Sequence, residues 1–283
     1  MKKEMKLIGL DLDGTTFTND KKITAHTKEV IERAIEHGIV VLPCTGRPSS
    51  GLPKEFLSMK GVKYAITSNG ASIVETDTMK SIYQNNMPYQ LAADTVEKLL
   101  KIDALMAIYI DGKYYMDEEA AEYMPQFIST SGQLKYFYDV RHLVSDLPGF
   151  IRKNQFSAEK IYMMFNDMEL RERIKREYES NEAFLTTASM DNLVELNAPT
   201  ADKGNALLAL ADILQIPHDQ TMACGDHLND AAMLKKAGFS VAMGNAVPEI
   251  KDLCDFVTKT NEEDGVAYVI EMILEGWEMD SSL

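Results

Sequence analysis

Lys6-Leu7-Ile8-Gly9-Leu10-Asp11-Leu12-Asp13-Gly14-Thr15 is the stretch whose reading decides the fold. The apolar run after Lys6 reads as a short parallel strand buried on both faces, and Gly14-Thr15 as the loop that ends it. Period-2 geometry points Asp11 and Asp13 to the same side at the carboxyl end of that strand, where open α/β sheets place their ligands. Two carboxylates held this close repel each other, so the pair calls for a cation, a shared proton or a catalytic task. It suits Mg²⁺, with one carboxylate as nucleophile and the other as acid and base. The plainer alternative is an acidic turn after an N-terminal strand.

Outward from this stretch, strand and helix alternate. Thr24 caps a predicted helix whose apolar face carries Val30, Ile31, Ala34 and Ile35 and which ends at Gly38. Ile39-Val40-Val41-Leu42 is the next buried strand, closed by Pro43-Cys44-Thr45-Gly46-Arg47-Pro48. A short helix to about Lys60 leads to Tyr64-Ala65-Ile66-Thr67 and the turn Ser68-Asn69-Gly70. The same rhythm returns in the last third. Asp202-Lys203-Gly204 opens a helix, and Thr221-Met222-Ala223-Cys224 runs into Gly225-Asp226. A helix through Met233 and Leu234 follows, then strands at Ser240–Met243 and Phe256–Thr258. This alternation predicts a doubly wound parallel sheet.

Residues 84–190 have another texture. Ile108-Tyr109-Ile110-Asp111-Gly112-Lys113-Tyr114-Tyr115 carries a hairpin signal with Asp-Gly as the turn. Strands at 161–165 and 184–187 flank a charged helix from Leu170 to Tyr178. The order predicts a small α+β module inserted into the larger domain, which leaves 1–83 and 191–283 as the two parts of the core. The aromatic and methionine residues of the module (Tyr109, Tyr114, Tyr115, Phe127, Tyr136, Phe137, Tyr138, Met163, Met164) read as core.

At 283 residues, with 45% hydrophobic and 26% charged residues, the composition is that of an ordinary globular protein with a sizeable core. Acidic residues outnumber basic ones, 44 to 29, which argues against a general nucleic-acid binder. Cys44, Cys224 and Cys254 are too scattered for a disulfide framework or a zinc site and read as reduced thiols in a cytoplasmic protein. The first strand starts within a few residues of Met1, with no apolar signal core and no run long enough to span a membrane.

Four motifs now stand at strand ends or helix starts: Asp11-Leu12-Asp13-Gly14-Thr15, Thr45-Gly46-Arg47, Lys203, and Gly225-Asp226-His227-Leu228-Asn229-Asp230. In this order and spacing the chain resembles the haloacid dehalogenase superfamily, in its Cof-like type IIB branch with an inserted cap. The resemblance extends over nearly the whole chain, through Asn69-Gly70-Ala71, Met243-Gly244-Asn245-Ala246 and Glu263-Asp264-Gly265-Val266-Ala267. It implies a Rossmann-like core with an α+β cap, and a Mg²⁺-dependent phosphatase of small phosphorylated metabolites such as sugar phosphates.

The same resemblance makes Asp11 the nucleophile of an aspartyl-phosphate mechanism. Asp13 would protonate the leaving oxygen and then activate water. Mg²⁺ would be held by the Asp11 carboxylate, the Asp13 carbonyl and the Asp226 carboxylate. Asp230, one helical turn on, joins them as a ligand or orients waters or Lys203. Lys203 would neutralise the nucleophile and the transferring group, and Asn229 would bond a phosphate oxygen. Thr45 offers a hydroxyl and Gly46 a closely approaching N–H. Arg47 binds substrate or anchors its loop, and His227 is a spacer or a cap contact. Thr16-Phe17-Thr18 departs from the family's usual apolar run, at positions that touch cap-hinge contacts only.

Three other readings compete. One is a phosphotransferase or phosphomutase of the same superfamily, and another a ligand-binding descendant. The third, a phospho-accepting signalling receiver, is shorter, carries its nucleophile on a middle strand and has no cap. Substrate selection is expected to reside in residues 84–190.

Overall fold

The computed structural model describes residues 4–128 and 131–276. The chain begins with β1 (Leu7–Leu10), β2 (Val40–Pro43), β3 (Tyr64–Thr67), β4 (Ser72–Glu75) and β5 (Ser81–Gln84). Its middle holds β6 (Leu105–Ile110), β7 (Lys113–Asp117), β8 (Arg141–Val144), β9 (Lys160–Met164), β10 (Leu185–Thr187) and β11 (Leu193–Asn197). It returns through β12 (Thr221–Gly225), β13 (Phe239–Ala242) and β14 (Phe256–Val257).

Five strands form a parallel sheet in the order β14-β13-β12-β1-β2. All four residues of β1 are buried, which requires cover on both faces. The first helix, Ala25–Glu36, starts where Thr24 accepts a hydrogen bond from the Thr27 N–H, and it packs against the helix Gly265–Leu274. The helices Lys203–Ile213 and Ala231–Lys236 form a second packed pair. From β1 the chain moves to β2 on one side, and it later lays β12, β13 and β14 on the other. The order therefore reverses between β1 and β12, and such a switch point opens a crevice at the carboxyl ends of the strands. Asp11 follows β1 and Asp226 follows β12 at that crevice.

The core is extended by the antiparallel sheet β3-β4-β5, which touches β2 through a bridge between Cys44 and Ile66. The cap is a separate six-stranded sheet in the order β10-β11-β9-β6-β7-β8, antiparallel except for the β7–β8 pair. Side chains alternate across it. Ile108, Ile110, Ile161 and Met163 pack with Val96, Leu147 and Ile174 of the cap helices. Tyr109, Tyr114, Tyr162 and Met164 line the other face together with Phe137.

Two expectations change. Leu193–Asn197, assigned to the core by a boundary at 190, pairs with β9 and β10 in the cap sheet. Every residue of that strand is buried, so it needs cover on both faces, and local pattern does not say in which sheet. Tyr138, expected in the core, is 42% exposed, because the helix Ser131–Val140 turns Phe137 inward instead.

Candidate active site

Three carboxylates and one ammonium meet at the crevice. The Asp11 N–H donates to the Cys224 carbonyl at 3.0 Å, tying the first residue after β1 to β12. One oxygen from each of Asp11, Asp226 and Asp230 lies within 4.8 Å of the others. Lys203 is the first residue of its helix, whose N-terminus is capped by Asp202 accepting from the Asn205 N–H at 2.7 Å. From there its buried side chain donates to Asp11 Oδ1 at 2.6 Å and to Asp230 Oδ1 at 2.7 Å. Asp230 Oδ2 accepts from the backbone N–H groups of Asp226 (3.1 Å) and His227 (3.3 Å). Both Asp230 oxygens are thus engaged by protein donors. Asp226 Oδ1 accepts from Thr15 Oγ1 at 2.9 Å. Gly14 sits at φ +89°, and a Cβ there would collide with the Asp226 carboxylate, so the first loop closes on the fourth motif only as glycine.

One ammonium does not balance three carboxylates. Burial, and then the Asp230 charge, push the Asp11 carboxyl well above the ordinary range, with Lys203 pulling it back. Burial, followed by Asp230, raises Asp226 to about 6. Lys203 is pushed up: burial opposes its charge, but Asp11 and Asp230 outweigh it. A crowded set of hard oxygen donors fits a divalent cation such as Mg²⁺.

Asp226 therefore holds its proton more tightly folded than unfolded. The stability this lends the metal-free protein is complete below an ordinary aspartate's pKa of about 4 and is lost as pH rises through about 6. Asp226→Asn is neutral throughout, so without metal its Tm should gain on that of the wild type between pH 5 and pH 7. A constant difference across that range would contradict the crowding.

The Asp13 side chain lies apart from the cluster. It is 44% exposed and accepts from Arg47 Nη2 at 2.9 and 3.1 Å and from Lys21 Nζ at 2.9 Å. Partial burial would raise its pKa, but Arg47 and then Lys21 hold it below the usual range. The Arg47 guanidinium lies 5.8 Å from the Phe17 ring and 5.6 Å from the ring of Tyr136, which the cap supplies. In this state Arg47 anchors Asp13.

Thr45 and Gly46 follow β2 beside this pair. Thr45 Oγ1 accepts from the Arg47 N–H at 3.2 Å. A Cβ on Gly46 would lie 2.7 Å from Asn69 Oδ1, so a larger residue here would push the Asn69 side chain aside. Asn229 is half-buried in the turn Leu228–Asp230, with no side-chain hydrogen bond among the described residues. His227 opens that turn through its backbone, its carbonyl accepting from the Asp230 N–H at 2.9 Å. The structure thus brings Asp11, Lys203, Asp226 and Asp230 together, and Asp13 with Arg47.

Sequence reasoning missed Lys21, Tyr136, the Thr15 hydroxyl, and Asn245, whose Nδ2 donates to the Gly14 carbonyl at 2.8 Å. It also missed Lys160 and Glu195, buried charges at the core–cap junction. Glu159-Lys160 entering the apolar run Ile161–Phe165 was the available signal.

Residues 8–270 match the family model described as haloacid dehalogenase-like hydrolase. The chain is 31% identical over 294 residues to the 5-amino-6-(5-phospho-D-ribitylamino)uracil phosphatase YwtE of Bacillus subtilis, covering 96% of this chain and 99% of that protein. A haloacid dehalogenase-like hydrolase from B. subtilis superposes with a TM-score of 0.82 at 28% identity, over 94% of this chain and 99% of the other. The subclass IIB sugar phosphatase BT4131 shares the fold, with a TM-score of 0.77 at 20% identity over 94% and 98% of the two chains.

Proposed function

The chain belongs to the haloacid dehalogenase-like hydrolases and is a phosphatase of phosphorylated substrates, and on that premise we propose a Mg²⁺-dependent enzyme that hydrolyses small phosphomonoesters through phospho-Asp11. The observation that carries this reading is Lys203 bridging Asp11 and Asp230 beside Asp226 at the switch point.

Asp11 Oδ1 accepts the hydrogen bond of the Lys203 ammonium, and Oδ2 has no protein hydrogen bond among the described residues. Asp11 attacks phosphorus, the bond to the leaving oxygen breaks, and that oxygen takes the proton of Asp13. Water deprotonated by Asp13 then attacks phospho-Asp11, releasing phosphate and regenerating both carboxyl groups. Asp13 first needs its proton, which Arg47 and Lys21 now disfavour. A substrate phosphate that draws Arg47 away would relieve that. Thr45 and Gly46 receive the phosphoryl oxygens, and Asn229 donates to one of them. Mg²⁺ held by Asp11, Asp226 and the Asp13 carbonyl, with Asp230 orienting Lys203 behind them, would neutralise the charge gathering on those oxygens.

Residues 84–190, continued through β11, serve as the selecting cap in this reading, between core segments 1–83 and 198–283. YwtE is named for a ribityl phosphate and BT4131 for sugar phosphates, so polyol and sugar monophosphates are the first class to test. No described helix is long and apolar enough to cross a membrane. Cytoplasmic placement is supported by three free thiols, two of them buried.

EDTA should lower turnover of such a panel by more than about a hundredfold, and Mg²⁺ should restore it. Full activity in metal-free buffer would remove the metal from the reading. Transfer of the phosphoryl group to a second sugar, with no inorganic phosphate released, would favour a phosphotransferase.

A further inference from the structure

Outside the reacting cluster, the most deeply buried charges join the cap to the core. Lys160, at the start of β9, is 1% exposed, and Glu195, in β11, is 2% exposed. Lys160 Nζ donates to Glu195 Oε1 at 2.6 Å and, across the domain junction, to the Gly46 carbonyl at 2.6 Å. It also lies 4.6 Å from the Tyr109 ring centroid. Glu195 Oε2 accepts from Asn69 Nδ2 at 3.2 Å, and the same nitrogen lies 3.3 Å from Asn197 Oδ1. Asn197 Nδ2 in turn donates to the Ser68 carbonyl at 2.9 Å.

These contacts converge on one loop. Its three carbonyls are all taken: Thr45 by the Asn69 N–H (3.1 Å), Gly46 by Lys160, and Arg47 by the Ser68 N–H (2.8 Å). In a trans peptide the C=O and the following N–H point opposite ways. Holding the Thr45 carbonyl against Asn69 therefore aims the Gly46 N–H away from it, and that N–H has no protein partner among the described residues. Holding the Gly46 carbonyl on Lys160 aims the Arg47 N–H back to Thr45 Oγ1, which leaves the hydroxyl proton of Thr45 to be donated elsewhere. A buried ion pair is a poor route to stability, since each ion forfeits several kcal/mol of hydration. This one fixes a peptide plane.

We propose that Lys160, anchored by Glu195, is a positioning residue for the Thr45–Arg47 loop, so that docking of the cap sets the donors that receive a phosphoryl group. The inference rests on the reading of that loop as the phosphate site. It requires that loosening Lys160 weaken binding of phosphate itself, whatever the leaving group.

The test compares wild type with the paired variant Lys160→Met/Glu195→Gln, which removes both members of the ion pair and leaves the buried Glu159 on its Ser68 hydroxyl and Gly112 N–H donors. KM for several phosphomonoesters and the competitive Ki of inorganic phosphate should all rise by about tenfold together. An unchanged phosphate Ki in a folded variant would overturn the proposal, even with a lowered Tm. A KM change that follows the leaving group while the phosphate Ki stays constant would also overturn it, by making Lys160 a substrate contact. Should the pair not fold, Glu195→Gln alone decides. Lys160 then loses its counter-charge, and the phosphate Ki should rise by about threefold, with no rise counting against the idea. Competitive inhibition of the wild type by inorganic phosphate and the loss of turnover in Asp11→Asn test the site itself, and both can hold if Lys160 plays no part.

Discussion

Replacing Asp11 with Asn should lower kcat by about 10⁴-fold or more, equivalent to at least ~5 kcal/mol of lost transition-state stabilisation. The amide keeps the shape of the carboxylate but cannot form the acyl phosphate. The fold should survive, because Lys203 keeps Asp230 as its counter-charge at 2.7 Å. Removing one of three crowded carboxylates also ends the repulsion of Asp11 by Asp230 and Asp226. Circular dichroism and Tm report the fold, and release of inorganic phosphate reports turnover. A tenth of wild-type kcat retained in a folded variant would exclude Asp11 as the nucleophile.

The second large effect separates Asp13 from Asp11. An alkoxide leaving group needs a proton and p-nitrophenolate does not, so Asp13→Asn should slow phosphorylation by alkyl phosphates by about 10³-fold. The loss with p-nitrophenyl phosphate should be less than about tenfold. The comparison belongs in the burst phase, because hydrolysis of phospho-Asp11 lacks its base in either case. The exposed position of Asp13, and its distance from the carboxylate cluster, predict little change in folding. Equal losses for the two substrates would make Asp13 a holder of Arg47 and the loop.

Much of this site was legible in the residues alone. Asp11 and Asp13 flank Leu12 where an apolar strand ends, and Gly225-Asp226 closes another. Strand period and turn chemistry are local properties that survive without neighbours. Lys203 was placed by its Asp-Lys-Gly setting at a helix start together with the family resemblance, and the structure adds that Asp202 caps that helix. The alternation of strand and helix at both ends of the chain likewise foretold a parallel sheet and, by contrast, an inserted module.

Pairing was a different matter. A buried run such as Leu193–Asn197 can join either sheet, and only the competition for neighbours across the whole chain seats it beside β9 in the cap. The partner of Arg47 in the folded crevice, Asp13 at 2.9 Å, stands 34 residues away and had no local signal. The partners of a buried charge lie far away in sequence, since burial is a property of the packed chain and leaves no local period behind. For that reason the sequence determined which chemical groups this protein owns and at which strand ends they stand. Tertiary structure alone decided that Lys160 of the cap would hold the carbonyl of Gly46 in the core.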